Sequence, residues 1–127
     1  MSQPRHFTYT AVGPVTGRRF VKFSTTTNIG DTYVAQSSAA ADLIIGVSAP
    51  NITVNDGDRV DVQHSGPGEV EAGAAITRGQ MLTSDANGRA IPVPAASTVR
   101  SGAMALASAA AGDFFPVFIN LVQVTTP

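Results

Sequence analysis

Glycine and proline interrupt this sequence so often that long regular elements have no room to form. The 127 residues include 12 Gly and 8 Pro, and no amphipathic pattern of helical period continues for three turns. The remaining runs are short, rich in β-branched and aromatic residues, and bounded by turn residues. This pattern predicts an all-β fold, a compact sandwich-like or barrel-like domain of short strands. The length suits one domain, and a hydrophobic fraction of 43% is enough for a core.

The most regular alternation lies at residues 59–64. Val60, Val62 and His64 fall on one face there, as expected for a half-buried strand, so His64 is predicted to have a packing or capping role. The Ser-Gly-Pro-Gly sequence that follows indicates a turn. Residues 69–71 are predicted to pair back across it as the second arm of a hairpin.

A second hairpin is predicted around an Asn87-Gly88 pair. Asn-Gly favours a type I′ turn, because both central residues of that turn need positive φ. The flanking residues 80–84 and 89–93 would be its arms, and Pro92 and Pro94 confine the second arm to a sheet edge. The other strand candidates are residues 19–24, 33–36 and 43–48. Residues 99–111 are a further candidate, where the alanines favour a helix but Gly102 and the alternation of Met104 and Leu106 favour a strand.

The longest β-type run, residues 114–124, is apolar on both faces. A strand of this kind is buried on both sides. One face is predicted to lie in the core and consists of Phe115, Val117, Ile119 and Leu121. The other is predicted to be a subunit interface and includes Phe114, Phe118 and Val122.

A Gly-Asp pair recurs immediately before strand candidates. It occurs at Gly30-Asp31, Gly57-Asp58 and Gly112-Asp113, and Gly79-Gln80 is analogous. Glycine allows an unusual φ, and the short polar side chain can bond to nearby backbone at the entrance of a strand. The spacing is not constant, which indicates recurring turn chemistry and argues against a solenoid.

The positive charge is concentrated near the N-terminus although the net charge is only −1. Half of the eight basic residues precede the first acid, Asp31. Residues 1–18, broken by Pro and Gly, are predicted to form an extended arm, and residues 19–127 a β-rich domain. The arm is predicted to contact a protein partner or a neighbouring subunit through Arg5, Arg18, Arg19 and Lys22, with a solvated tail as the alternative. The net charge does not favour nucleic acid as a partner.

No residue pattern predicts an enzyme. The absence of cysteine excludes disulfides and thiolate metal sites. Neither of the two acidic turns matches a calcium loop, and the Gly46-Val47-Ser48 sequence lacks the final glycine of a nucleophile elbow. We therefore predict no catalytic, cofactor-binding or metal-binding residue. No signal peptide and no membrane span are expected, so the protein should be made in the cytoplasm without a membrane partner.

The middle and end of the chain resemble a known family, the phage capsid cement or head decoration proteins. The central block is VEAGAAITRGQMLTSDANGRA at residues 70–90. It is preceded by GV at 46–47 and GDRVDV at 57–62, and followed by GAMAL at 102–106 and AGD at 111–113. The resemblance extends over residues 43–119.

The resemblance implies a structural virion protein. It implies β-rich subunits, often trimers, that bind the major capsid protein on the outer surface of the assembled head and stabilise the shell. It supplies no catalytic residue. An alternative is another virion β-module, a tail or fibre component that binds host glycans. A trimeric β-rich nucleotide hydrolase is a third, less favoured hypothesis, because the substrate motifs that it needs are not found.

Overall fold

The structure, a computed structural model, describes residues 5–24, 33–40, 42–50, 53–94 and 98–125. The predicted all-β class is confirmed, since the described residues form nine strands and contain no helix, and therefore no helix able to span a membrane. The strands are β1 (Arg5–Ala11), β2 (Phe20–Phe23), β3 (Tyr33–Gln36), β4 (Ile44–Ser48), β5 (Arg59–Glu71), β6 (Met81–Ser84), β7 (Ala90–Pro92), β8 (Thr98–Ala105) and β9 (Phe114–Thr125).

The first five strands close into a barrel, here called the N-barrel. Its strand order is β1-β3-β2-β4-β5, and the antiparallel pairing of β1 with β5 completes the circle. Residues 59–65 are the part of β5 that belongs to this barrel, where β5 pairs with β1 and β4. Closure leaves no free edge in the ring, which removes the usual hazard of edge pairing.

The second half of β5 begins another ring, here called the C-barrel. Residues 66–71 pair with β9, and the order continues through β8 and β6 to β7. A single parallel bridge between Ala72 and Ala90 then joins the end of β5 to β7. One continuous strand therefore serves both barrels.

The two barrels are structurally equivalent halves. In the N-barrel, β1 runs parallel to β3, Ala11 N–H donates to Asp58 O over 2.8 Å, and β5 closes the ring. In the C-barrel, Ala72 N–H donates to Asp113 O over 2.8 Å at the corresponding place. The duplication is not evident in the sequence, because the two halves have equivalent hydrogen bonds but different residues at most of the equivalent positions.

Four equivalent turns mark the duplication. Each follows an isolated antiparallel bridge, either Val15–Val54 or Ile76–Ala109, and leads into β2, β5, β6 or β9. The third residue after each bridge residue has positive φ and is Arg18, Gly57, Gly79 or Gly112. Three of the four are the Gly-Asp and Gly-Gln pairs of the sequence, so their recurrence reflects a structural repeat.

In three of these turns the side chain after the glycine closes a reciprocal pair of hydrogen bonds. Asp58 N–H donates to Asn55 O, and Asn55 N–H donates back to the Asp58 carboxylate over 3.1 Å. Asp113 and Gln80 make the same two bonds with the residues three positions earlier. The Gly30-Asp31 pair lies outside the described residues.

Two predicted turns differ from the structure. Residues 65–71 do not fold back as a hairpin, because positive φ at Gly66 bends β5 without ending it and carries it from one barrel into the other. The Gln63 amide stabilises this bend by donating to Ser65 O and Pro67 O. The β6–β7 hairpin is confirmed, but its turn is not type I′, since Gly88 has positive φ and Asn87 does not.

The β6–β7 turn is instead held by Asp85 and packs against the N-barrel. The Asp85 carboxylate accepts from Asn87 N–H and Arg89 N–H over 2.8 and 2.9 Å. Phe20 N–H donates to Gly88 O over 2.8 Å. The hairpin that the sequence predicted is therefore a contact between the barrels. β7 is last in the strand order, and the Ala72–Ala90 bridge joins it to the end of β5.

The core consists of two apolar clusters. The N-barrel interior contains Val21, Val34, Val60 and Val62 among others. The larger cluster fills the C-barrel and also includes Phe20, Ile44 and Val47 from β2 and β4. Consequently β4 is buried along its whole length, because it lies between the two interiors. The predicted inward face of β9 is confirmed, with Phe115, Val117 and Ile119 buried and Leu121 packed against them.

The segment predicted to be an extended arm is extended and hydrogen-bonded to the body. Its residues 5–11 form β1, and Ala11 and Val15 are buried in the N-barrel core. The sequence pattern did not identify β1 as a strand because its Phe-Thr-Tyr-Thr alternation lies between Pro4 and Gly13. Its main pairing partner, β5, is distant in the chain.

Candidate interaction surfaces

Six large hydrophobic side chains are exposed in the described part of the chain, and they divide equally between the barrels. Phe7, Phe23 and Leu43 belong to the N-barrel side and are more than half exposed. Met104, Leu106 and Phe114 belong to the C-barrel. These two groups are called the N-patch and the C-patch below. Grouped exposed apolar side chains of this kind are typical of interaction surfaces.

The N-patch is a row of aromatic rings beside a groove. Phe7 meets His64 edge to face at 5.1 Å between ring centroids, and Tyr9 contacts both His64 and Phe23 at 5.6 and 6.0 Å. Phe23 and Leu43 then line a groove of about 520 Å³. The charged residues of its lining are Lys22, Asp42 and Arg100.

His64 fixes the rings of the N-patch through two hydrogen bonds. Its Nδ1 lies 2.7 Å from Ile45 O, and because a carbonyl oxygen can only accept, this nitrogen carries a proton. In the neutral ring Nε2 then accepts from the Tyr9 hydroxyl, also at 2.7 Å. Burial raises the pKa of Tyr9 above its ordinary value of 10.0. The packing role predicted for His64 is confirmed.

The C-patch is the outer face of the β8–β9 pair. Phe115 and Val117 point inward, so Phe114 and Phe118 share the opposite face of β9. Met104 stands opposite Phe118 in the register, and Leu106 follows it along the chain. Phe114 is 53% exposed and Phe118 partly exposed. The side chain of Val122, which the sequence also assigned to this face, lies outside the described residues.

Arg18 borders the C-patch. Its guanidinium lies 4.3 Å from the centroid of the Phe114 ring, and its Nε donates to the Glu69 carboxylate. A cation over an aromatic face is held by the quadrupole of the ring. The Arg18 guanidinium and the Glu69 carboxylate therefore form an ion pair beside the Phe114 ring.

Arg18, Arg19 and Lys22, which were predicted to contact a partner, have carboxylate partners within the chain. Besides the Arg18–Glu69 pair, Arg19 bridges to Glu71 at 3.1 Å, and Lys22 bridges to Asp42 at the same distance. The Arg5 side chain lies outside the described residues. In the structure these three cations pair with carboxylates of the same chain. Their contact with an outside partner stays a prediction.

The Arg19 pair extends into a ladder that crosses between the barrels. Glu71 also faces Arg89 at 3.6 Å, and Arg89 bonds to Asp85 at 3.3 Å. Arg19 donates in addition to Asn87 O over 2.8 Å. In the part of the chain that the structure describes, no group of three His, Asp or Glu side chains could hold a metal ion.

Comparison with known proteins identifies the family. A family model described as phage cement protein matches residues 2–120. The chain belongs to the phage cement protein family. The resemblance seen in the sequence motifs is thereby confirmed, and the match also includes the N-terminal segment that forms β1. The family consists of structural phage proteins.

A solved structure has the same fold as this cement protein. It is the N-terminal base of the head fibre protein gp8.5 of bacteriophage phi29, at 23% sequence identity with a TM-score of 0.73. The alignment covers 96% of this chain and 98% of that chain. No curated protein matches the sequence.

Sequence reasoning found only one of the two patches. Phe114 and Phe118 follow from period-two alternation in a single long run. The N-patch was missed because Phe7, Phe23 and Leu43 come from three separate segments, which only the barrel closure brings together. The alternation of Phe7 and Tyr9 was the one local signal that could have indicated an exposed aromatic row.

Proposed function

We propose that this cement protein is a non-enzymatic decoration protein that binds the major capsid protein on the outer surface of an assembled phage head and stabilises the shell as a homotrimer. The observation that carries the proposal is the family match over residues 2–120, nearly the whole chain. Two apolar patches on a small domain further support a protein that works in contact with other proteins.

The fold is suited to a structural role. Two strand-sharing barrels, one closed by full strand pairing and the other by a bridge, offer few free edges. Shared core residues and the Arg19–Glu71–Arg89 ladder join them. A rigid body of this kind can stabilise a shell by bridging its subunits, because it transmits load with little deformation.

The alternative, a tail or fibre module that binds host glycans, has less support. The solved structure with the same fold is the base of a head fibre, which favours the head over the tail as the site of this cement protein. The family description likewise names cement and no receptor-binding role.

The test is to mix the purified protein with undecorated phage heads. We expect saturable, stoichiometric binding at symmetry-related positions, visible by cryo-electron microscopy, and a higher temperature of head disruption in the decorated particles. Saturable binding without a rise in that temperature would support binding to the head but contradict stabilisation of the shell. A protein that does not bind heads but binds tails or host glycans would contradict the proposal.

A further inference from the structure

The Asn87-Gly88 pair at the tip of the β6–β7 hairpin is chemically labile. Asn87 is the only asparagine of the sequence that is followed by glycine, and it is exposed. Glycine has no side chain to shield its amide nitrogen, so the Gly88 nitrogen can attack Cγ of the Asn87 side chain once the two atoms meet. The Gly88 N–H is also weakly held, by a long bond of 3.4 Å to Asp85 O.

The reaction consumes water and needs no other reactant. The Gly88 nitrogen loses its proton and bonds to Cγ of Asn87, the side-chain nitrogen leaves as ammonia, and the product is a cyclic succinimide. Water then opens this ring at one of its two carbonyls. Attack at Cγ gives aspartate in an ordinary main chain. Attack at the main-chain carbonyl of Asn87 gives isoaspartate, in which the chain runs through Cγ and is longer by one methylene.

Contacts between the two barrels hold this peptide in an unreactive orientation. Asn87 O accepts from the Arg19 guanidinium and from the Gln36 side-chain amide, each over 2.8 Å. Gly88 O accepts from Phe20 N–H over the same distance. Ring formation needs the Gly88 nitrogen turned toward Cγ, and that rotation takes Asn87 O away from both of its donors. The hairpin tip must therefore leave the N-barrel before the reaction can occur.

The closed contact also has no room for the isoaspartate product. A Cβ atom added at Gly88 would lie 2.8 Å from Gln36 Cγ and 3.1 Å from Ser37 O. An extra methylene in the main chain beside this glycine meets the same neighbours, and it displaces Gly88 O from Phe20 N–H. Isoaspartate, once formed, is therefore incompatible with the closed hairpin tip.

We propose that Asn87 is a site of spontaneous deamidation that is gated by the contact between the barrels, and that isoaspartate makes the opening of this contact permanent. Local opening and closing is fast beside a slow covalent step, so the rate follows the fraction of molecules that are open. The bonds from Arg19, Gln36 and Phe20 should together make the folded protein react about a hundredfold more slowly than the unfolded chain.

The test compares substitutions of two glutamines whose amides both hold main-chain carbonyls. Gln36→Glu keeps the oxygen that accepts from Thr16 N–H and puts a second oxygen against Asn87 O, while Gln36→Met removes the donor without adding a charge. Both should deamidate about five- to tenfold faster than the wild type. Gln63→Glu and Gln63→Met, the matched controls at the β5 bend, should react at the wild-type rate.

Mass spectrometry of the peptide that contains residue 87, with an enzymatic assay for isoaspartate, measures the rate in mildly alkaline buffer. Circular dichroism must show that all variants are folded. At a urea concentration that unfolds every protein, the wild type and the variants should share one fast rate, because the sequence around Asn87 is unchanged. Peptides that contain Asn55 or Asn120 are internal standards and should stay unmodified in the folded protein.

The modified protein, separated on ion exchange by its additional negative charge, should melt at a lower temperature than the unmodified protein. Three results would overturn the proposal. These are a wild type that deamidates at the same rate folded and unfolded, folded Gln36 variants that react no faster than the wild type, and an isoaspartate form with the wild-type melting temperature.

Discussion

Arg18 occupies a backbone conformation that glycine occupies at the equivalent positions of the other three turns. Its φ is 61°, against 86°, 92° and 91° at Gly57, Gly79 and Gly112. A residue with a side chain in this left-handed region of φ lowers the stability of the fold by about 1–2 kcal/mol. The Glu69 ion pair and the contact with the Phe114 ring are the interactions gained in exchange.

The relative stability of two substitutions at Arg18 separates the backbone strain from the side-chain interactions. Arg18→Ala loses both interactions and keeps the strain, whereas Arg18→Gly loses both and removes the strain. We expect the glycine variant to be about 1 kcal/mol more stable than the alanine variant, measured by urea unfolding. Asp61, inside β5, is the control position. There Asp61→Ala should be more stable than Asp61→Gly, because glycine is disfavoured in a strand interior. Equal midpoints for the two Arg18 variants would show that the turn relaxes without cost.

Asp42 gives the fold an acid-sensitive contact. Burial alone would raise the pKa of its carboxyl, but the N–H groups of Ser38 and Ala39 and the Lys22 ammonium outweigh burial and hold the pKa below the ordinary 3.8. A carboxyl with a lowered folded pKa contributes stability above its unfolded pKa, and this contribution is lost as the pH falls through the folded value.

The expected result is a pH-dependent difference between wild type and Asp42→Asn. The wild type should lose more stability than the variant when the pH falls below about 4, as measured by thermal unfolding over a pH series. Above that range the variant should be the less stable of the two. Parallel curves across the series would mean that Asp42 does not contribute in this way.

At the scale of strands, the close approach of β4 to β5 depends on Gly46. A Cβ atom added there would collide with Gln63 O and lie 2.9 Å from Val62 Cγ1. The C-barrel has Ala103 in the corresponding place, since Gly46 pairs with Val21 in the register and Ala103 with Leu82. The C-barrel therefore accommodates a Cβ at a position where the N-barrel does not.

Exchanging the two residues should destabilise both barrels. Gly46→Ala is expected to cost about 1–3 kcal/mol through overpacking against the β5 backbone. Ala103→Gly should cost roughly 1 kcal/mol, because a buried methyl is lost from a strand interior. Chemical unfolding midpoints provide the measurement, and a stabilised Gly46→Ala variant would show that β4 can move away from β5.

The strands also show where local sequence was sufficient. β3, β6 and β9 were predictable because each is a short run bounded by turn residues, or a long one with clear alternation. β5 was misjudged because Gly66, Pro67 and Gly68 normally end a strand, and only the pairing with β9 on the far side shows that this one continues. The internal duplication was hidden because Arg18 stands where the repeated turn otherwise has glycine.

At the scale of the whole molecule, Glu71 is the ionic link between the barrels. Its carboxylate faces Arg19 and Arg89, and its side chain is only 17% exposed. Glu71→Gln leaves these two cations facing each other, and we expect a loss of about 2 kcal/mol. Glu69→Gln is the matched control, since Glu69 is 43% exposed and forms its ion pair with Arg18 alone in the described part of the chain, so the loss should stay under about 1 kcal/mol.

Calorimetry of the Glu71→Gln variant tests how the barrels are joined. A single transition at a lower temperature is expected, because Phe20, Ile44 and Val47 of the N-barrel belong to the core cluster of the C-barrel. Two separate transitions would show that the barrels unfold independently once the ladder is broken.

The continuity of β5 determines how the molecule responds to tension. A force that pulls the two barrels apart along this strand acts first on covalent bonds of the main chain, because residues on both sides of Gly66 belong to the same strand. The compliant point is the bend, where rotation about the backbone of Gly66 and release of the Gln63 amide from Pro67 O can lengthen the molecule slightly. Such a joint yields over a short distance and then stiffens, so a brief stretch need not separate the barrels.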